Sequence, residues 1–141
     1  HSKREDSGEF GRSRVIRNYS AVTAAVLAIK KSIYNEVGGL NADNLAVAFN
    51  DVDFCLRVKE AGYRNVYSPY AELYHHESVS RGPDTDSIRA KRFETEAIYM
   101  KQTWKLYIDN DPLYNSNLSL MEGYKLDLNR GQKWPWSRDG K

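Results

Sequence analysis

The stretch FNDVDFCLRVKEAGY, residues 49–63, sets Asp51 and Asp53 at the start of what its spacing predicts to be a short helix. Acids in a first helical turn lie at the positive end of the helix dipole, and Asp53 stands four residues before Arg57, the spacing of a surface ion pair. That is the structural reading of the pair. The chemical one is that a carboxylate fixed at a helix N-terminus, beside an open pocket, can take the proton of a substrate hydroxyl as a general base. A D-x-D pair can also hold a divalent cation against a diphosphate, because hard oxygen ligands suit Mg²⁺ or Mn²⁺. Asp84 with Asp86, in a polar loop, and Asp109 with Asp111, at a helix end, share that spacing. None of these pairs is strongly placed as a metal pair.

His75 and His76 end a predicted strand and open a loop, where functional side chains are often presented. Neighbours on a strand point to opposite faces, so at most one of them reaches a given site. Arg81, in the same loop, can pin a phosphate bidentately or be solvated. Cys55, the single cysteine, has no partner for an internal disulfide and reads as buried packing, so the fold needs no oxidising compartment.

The elements that must position these residues follow from the apolar pattern. Residues 20–29, in SAVTAAVLAIKK, form an apolar run of small and branched side chains expected to be a strand buried on both faces. A short helix follows, with Ser32 as its cap and Gly38 or Gly39 as its left-handed end. Asn50 or Asp51 is expected to cap the next helix, with Phe54, Val58 and Ala61 on one face and Gly62 as its stop. A short strand, a turn at Pro69 and a second strand ending at His75 come next, and residues 77–87 read as a mobile loop. Over residues 87–108, Phe93, Ala97, Met100, Trp104 and Tyr107 recur at steps of four and three, the pattern of one long helix. Pro112 lies just beyond it, before an ordered turn and a short extended piece. Residues 1–17 read as a polar, basic arm carrying Lys3, Arg4, Arg12, Arg14 and Arg17, solvated and flexible, and residues 129–141 as a polar tail with Trp134 and Trp136.

The chain has 141 residues, 40% hydrophobic and 28% charged, which fits one modest soluble domain. A net charge of +2 without a dense basic patch does not argue for nucleic acid. No apolar run approaches the roughly 20 residues needed to cross a bilayer, and a cytoplasmic setting is expected.

Taken together and in this order, SAVTAAVLAIKKSIYNEVGGL, AVAFNDVDFCLRVKEAGYRNVYSPYAELYHHESVSRG and DPLYNSNLSL resemble the family 2 glycosyltransferases, in particular the bacterial type that builds O-antigen and other surface polysaccharides. The likeness runs over residues 10–120. It implies an α/β fold of the GT-A kind, with the chain supplying the acceptor-side, C-terminal half as a small mixed sheet with flanking helices and one long C-terminal helix. It implies an inverting transfer of a sugar from a nucleotide-sugar donor to a glycan or lipid-linked acceptor. The position matching the family's catalytic Asp is Asp51, and Asn50 stands where the family usually has Glu.

The same resemblance implies that His75 is a ligand of a divalent metal, Mn²⁺ or Mg²⁺, and that Ser80 and Arg81 close over the donor diphosphate. Thr23, Ala24 and Asp53 would lie on the acceptor side; Ala24 and Ala25 depart from the family's usual small-residue pattern there. It leaves room for a homodimer and for peripheral attachment of the parent enzyme to the inner face of the cell membrane. Because the family's nucleotide-binding half precedes the SAVTAA segment, residues 18–128 are expected to be a partial transferase domain. Two other readings are weaker: a non-catalytic carbohydrate-binding or dimerisation module derived from a transferase, and a metal-dependent nuclease using Asp51, Asp53 and His75. The 141 residues alone are expected to bind metal and donor weakly and to turn over slowly or not at all. Isothermal titration with a nucleotide sugar and Mn²⁺ checks this, and micromolar binding would contradict it.

Overall fold

A computed structural model describes residues 5–74 and 87–130 of the chain. After a helical turn at Glu9–Arg14 come strand β1 (Arg17–Tyr19), helix α1 (Lys31–Glu36), helix α2 (Asn50–Glu60), strand β2 (Asn65–Tyr67), helix α3 (Ser87–Thr103) and helix α4 (Lys105–Asp109). The strands form a two-stranded antiparallel ribbon, with Arg17 opposite Tyr67 and Tyr19 opposite Asn65. The architecture is therefore α/β with a small sheet, as expected, and among the described residues that sheet is antiparallel.

The expected strand over residues 20–29 is absent, and residues 71–74, the described part of the strand expected to end at His75, are not a strand either. A strand needs a neighbour for its peptide groups, and among the described residues none runs beside either segment. Thr23, Ala24, Ala25 and Val26 are exposed instead. Among the described basic residues of the N-terminal segment, Arg12 and Arg17 differ from the expected solvated arm. Arg12 lies 4.2 Å from the centroid of the Tyr124 ring, the Tyr67 hydroxyl donates to the Ser13 carbonyl at 3.0 Å, and Arg17 belongs to β1.

α2 is the central element. The expected single apolar face is an understatement, because Asp53, Phe54, Cys55, Leu56 and Val58 are all buried. Such all-round burial marks a helix enclosed by its neighbours. Leu56 joins Leu45, Met100 and Trp104 in the core, with Phe49, Val52, Tyr99 and Tyr107 packed against them. Phe54 meets Tyr34 of α1 at 5.4 Å between ring centroids. Gly62 ends the helix with φ +88°, as its type predicts. Gly39, at φ +68°, has a second reason to be glycine: a Cβ there would lie 2.9 Å from the Tyr34 ring.

The predicted caps are not the caps found. Ser32 lies inside α1, whose N-cap is Lys30. The N-cap of α2 is Phe49, in a left-handed conformation (φ 61°, ψ 3°) and without a capping side chain. A bulky residue held there costs about 1–3 kcal/mol and persists only where its surroundings impose it. The long C-terminal helix is present as expected, with a bend at Trp104 (φ −113°, ψ 25°) dividing it into α3 and α4. Trp104 is where α3 meets α2: its indole N–H donates to Asp53 Oδ1 at 2.9 Å.

Trp104→Phe keeps most of the apolar bulk and deletes that donor, leaving a buried carboxylate oxygen unsatisfied. We expect a loss of about 1–3 kcal/mol of stability, read as a lower urea midpoint. An unchanged midpoint would mean that the contact contributes nothing.

Candidate active site

Asp51 and Asp53 are both in the first turn of α2, and their side chains leave it in different directions. Asp53 is 1% exposed. Its Oδ1 accepts the Trp104 indole N–H and its Oδ2 the Arg57 Nε–H, each at 2.9 Å, and Arg57 Nη2 is an ion-pair contact of Oδ2 at 2.9 Å. The Asp53–Arg57 pair read from the sequence is present, with its Asp53 end buried against Trp104 and its Arg57 end partly exposed. The carboxylate faces the core and not a cleft, so in this structure Asp53 orients and packs.

Asp51 is half-buried at the surface of α2. Its Oδ1 accepts the Val52 amide at 2.9 Å, and its Oδ2 accepts the Ala24 amide at 3.1 Å. A carboxylate has about four lone-pair sites, so each oxygen retains room for a further proton or hydroxyl. Thr23 is adjacent, with its Oγ1 accepting the Ala25 amide at 3.3 Å. Asp51, Thr23 and Ala24 are thus brought together, although Asp51 and Ala24 are 27 positions apart. His75, Ser80 and Arg81 lie outside the described residues.

Beside this cluster is a cavity of about 900 Å³, at the upper end of the range for small-molecule sites. Its lining is mainly apolar and includes Val22, Thr23, Ile29, Phe54, Val58 and Tyr67. Asp51 is not among the lining residues. It precedes Phe54 and Val58 by three and seven positions, on the same helical stripe, and so stands at the end of the cavity wall that α2 builds.

Sequence reasoning missed the residues that hold the loop before α2. Asn50, expected as a cap, instead accepts the Asn41 amide through Oδ1 at 2.9 Å and donates through Nδ2 to the Leu45 carbonyl at 2.7 Å. Asn41 Nδ2 donates to the Tyr99 hydroxyl at 3.0 Å. Glu96 accepts the amides of Val47 at 3.2 Å and Ala48 at 2.6 Å. One signal for Glu96 was present: it falls three residues after Phe93 and four before Met100, a charge set on the apolar stripe of α3.

Cys55 is buried as expected, and its thiol donates to the Val22 carbonyl at 3.6 Å. Burial pushes its pKa up, the Val22 contact opposes this, and the Asp51 carboxylate adds to the rise. Among the described residues no three His, Cys, Asp or Glu side chains converge to hold a metal ion.

No family model matches the chain, and no solved structure does. It is 53% identical over 116 residues to the uncharacterized protein y4gI of Sinorhizobium fredii, and 32% identical over 114 residues to the O-antigen biosynthesis protein RfbC of Myxococcus xanthus. It is 30% identical over 79 residues to the N-acetylglucosaminyl-diphospho-decaprenol L-rhamnosyltransferase of Mycobacterium tuberculosis. These alignments take in 82%, 81% and 56% of the chain, which spans only 13%, 8% and 25% of the respective relatives.

The raised Cys55 pKa has a sign that can be checked. The neutral thiol favours the folded state fully below the ordinary thiol pKa of about 8.5, and this contribution is lost as pH rises through the higher folded value. At pH 8 the native thiol should therefore react with a disulfide reagent orders of magnitude more slowly than in denaturant. Equal rates would place Cys55 at the surface.

Proposed function

We propose that the chain is the acceptor-side portion of an inverting glycosyltransferase of the GT-A kind, acting in surface polysaccharide synthesis, with Asp51 as the general base. What supports the reading is the similarity to proteins named for O-antigen biosynthesis and rhamnosyl transfer, together with the hydrogen bond from the Ala24 amide to Asp51 Oδ2. The hydrogen bond carries it, because it joins the candidate base to the candidate acceptor segment.

In the proposed reaction an acceptor hydroxyl approaches Asp51 at the Thr23–Ala24 turn. Asp51 takes the hydroxyl proton as that oxygen bonds to the anomeric carbon of the donor. The bond from this carbon to the diphosphate breaks, the nucleoside diphosphate leaves with the electron pair, and the anomeric centre inverts. The chain's own contribution is orientation: the amides of Ala24 and Val52 fix the carboxylate plane, and the Asp53 anchor fixes the rotation of α2 beneath it.

His75, Ser80 and Arg81 remain in the proposal as the metal and diphosphate side of the site, on the resemblance alone, with Mn²⁺ or Mg²⁺ as the ion. The described residues do not supply a metal site, and no step above is routed through one. No helix among the described residues is long and apolar enough to cross a membrane. A place at the cytoplasmic face of the cell membrane is part of the proposal, since it would bring a lipid-linked acceptor to the site.

General bases typically contribute about 10²–10⁴-fold to a rate. In the full-length protein, Asp51→Asn should lower sugar transfer by that order while donor affinity stays within a few-fold of wild type. A variant with the wild-type rate would remove Asp51 from the mechanism.

A further inference from the structure

We infer that Glu96 is a positioning residue for Asp51, acting through the loop that leads into α2; the inference rests on Asp51 having the role proposed above. Glu96 is 3% exposed. A carboxylate so far from water is tolerated only when its oxygens are hydrogen-bonded. Here Oε1 accepts the Val47 amide at 3.2 Å and Oε2 accepts the Ala48 amide at 2.6 Å. Arg92, one turn earlier on α3, brings its Nε to 3.8 Å from Oε1. Two successive peptide planes are thereby gripped by one rigid side chain.

The next residue is Phe49, the left-handed N-cap of α2. Phe93, one turn before Glu96 on α3, packs its ring 5.2 Å from the Phe49 ring. The Phe49 carbonyl in turn accepts the Asp53 amide at 2.9 Å. α3 therefore holds this loop twice, by its backbone at residues 47 and 48 and by its side chain at Phe49. That double hold keeps Phe49 at positive φ and sets where the first turn of α2 begins. Asp51 lies two residues further on. Released from Glu96, Phe49 relaxes toward negative φ, the first turn shifts, and the Asp51 carboxylate leaves the Ala24 amide.

Glu96→Gln tests this in the full-length protein, because the amide keeps the size of the side chain but presents one acceptor oxygen to two N–H groups. Turnover in sugar transfer should fall about tenfold or more, with the donor KM essentially unchanged. Amide hydrogen exchange at Val47 and Ala48 should speed up by about tenfold or more, while the amides of Leu56 and Val58 hold their wild-type rates. A raised KM at full turnover, unchanged exchange at Val47 and Ala48, or uniform acceleration along α2 would each overturn the inference.

The exchange comparison also separates the two claims. If wild-type protein transfers no sugar, the proposed function fails, and the exchange pattern alone decides whether Glu96 clamps the loop. Should Glu96→Gln not fold, Glu96→Asp, which keeps the charge but is one methylene short of the second amide, is read in the same way.

Discussion

A carboxylate at 1% exposure is tolerated only if its partners replace the water it has lost, and at Asp53 two side chains do so. Arg57 comes from the next turn of the same helix, and Trp104 from the junction of α3 and α4. Arg57 also donates through Nη1 to the Val37 carbonyl, just beyond α1. One buried charge therefore ties together the end of α1, the start of α2 and the far end of α3. Buried ion pairs add little net stability, since desolvation offsets most of the attraction. What gives direction is the pair's outside partners: α2 cannot rotate about its axis without breaking the Trp104 bond to Asp53 and the Arg57 bond to the Val37 carbonyl.

That constraint assigns the two aspartates. Successive residues of an α-helix turn by about 100°, so Asp51 and Asp53 are separated by about 200° around α2. With Asp53 fixed toward Trp104, Asp51 must point outward to the Thr23–Ala24 turn. On this helix a D-x-D spacing does not gather two carboxylates on one ligand; it divides them between the core and the site. Of the two roles weighed for the pair in the sequence, the structural one falls to Asp53 in the fold, and the chemical one is the role proposed for Asp51.

The sequence made visible what depends on local chemistry. The apolar steps of α2 and α3 were readable because helical period alone generates them, and Gly62 was readable as a stop because positive φ favours glycine. The hydrogen bonds that the loop before α2 makes to Glu96 and Tyr99 were not readable, because these partners lie on α3, more than forty residues away. Phe49 illustrates the limit. Nothing in its type suggests a left-handed N-cap, which it adopts while packed against Phe93 and the core. Glu96 was half-legible, as a charge out of place on an apolar stripe, but the stripe does not say which amides it meets.

The failed strand at residues 20–29 shows what an apolar run does and does not specify. Such a run signals a segment suited to burial, while strand formation requires a neighbouring chain to complete its peptide groups. In this fold its first part is tied to other elements at every second residue. The Asn65 side chain donates to the Ser20 carbonyl at 2.9 Å, the Cys55 thiol reaches the Val22 carbonyl, and Asp51 takes the Ala24 amide. Asn65 also donates to the Cys55 carbonyl at 2.9 Å, and the Ser20 hydroxyl donates to Asp111. A ribbon of two three-residue strands is marginal by itself, so these side-chain ties, more than the ladder, keep residues 20–24 against α2. The period of two expected of a strand survives as a row of tethers, and its last member is the contact that places the proposed acceptor segment beside the candidate base.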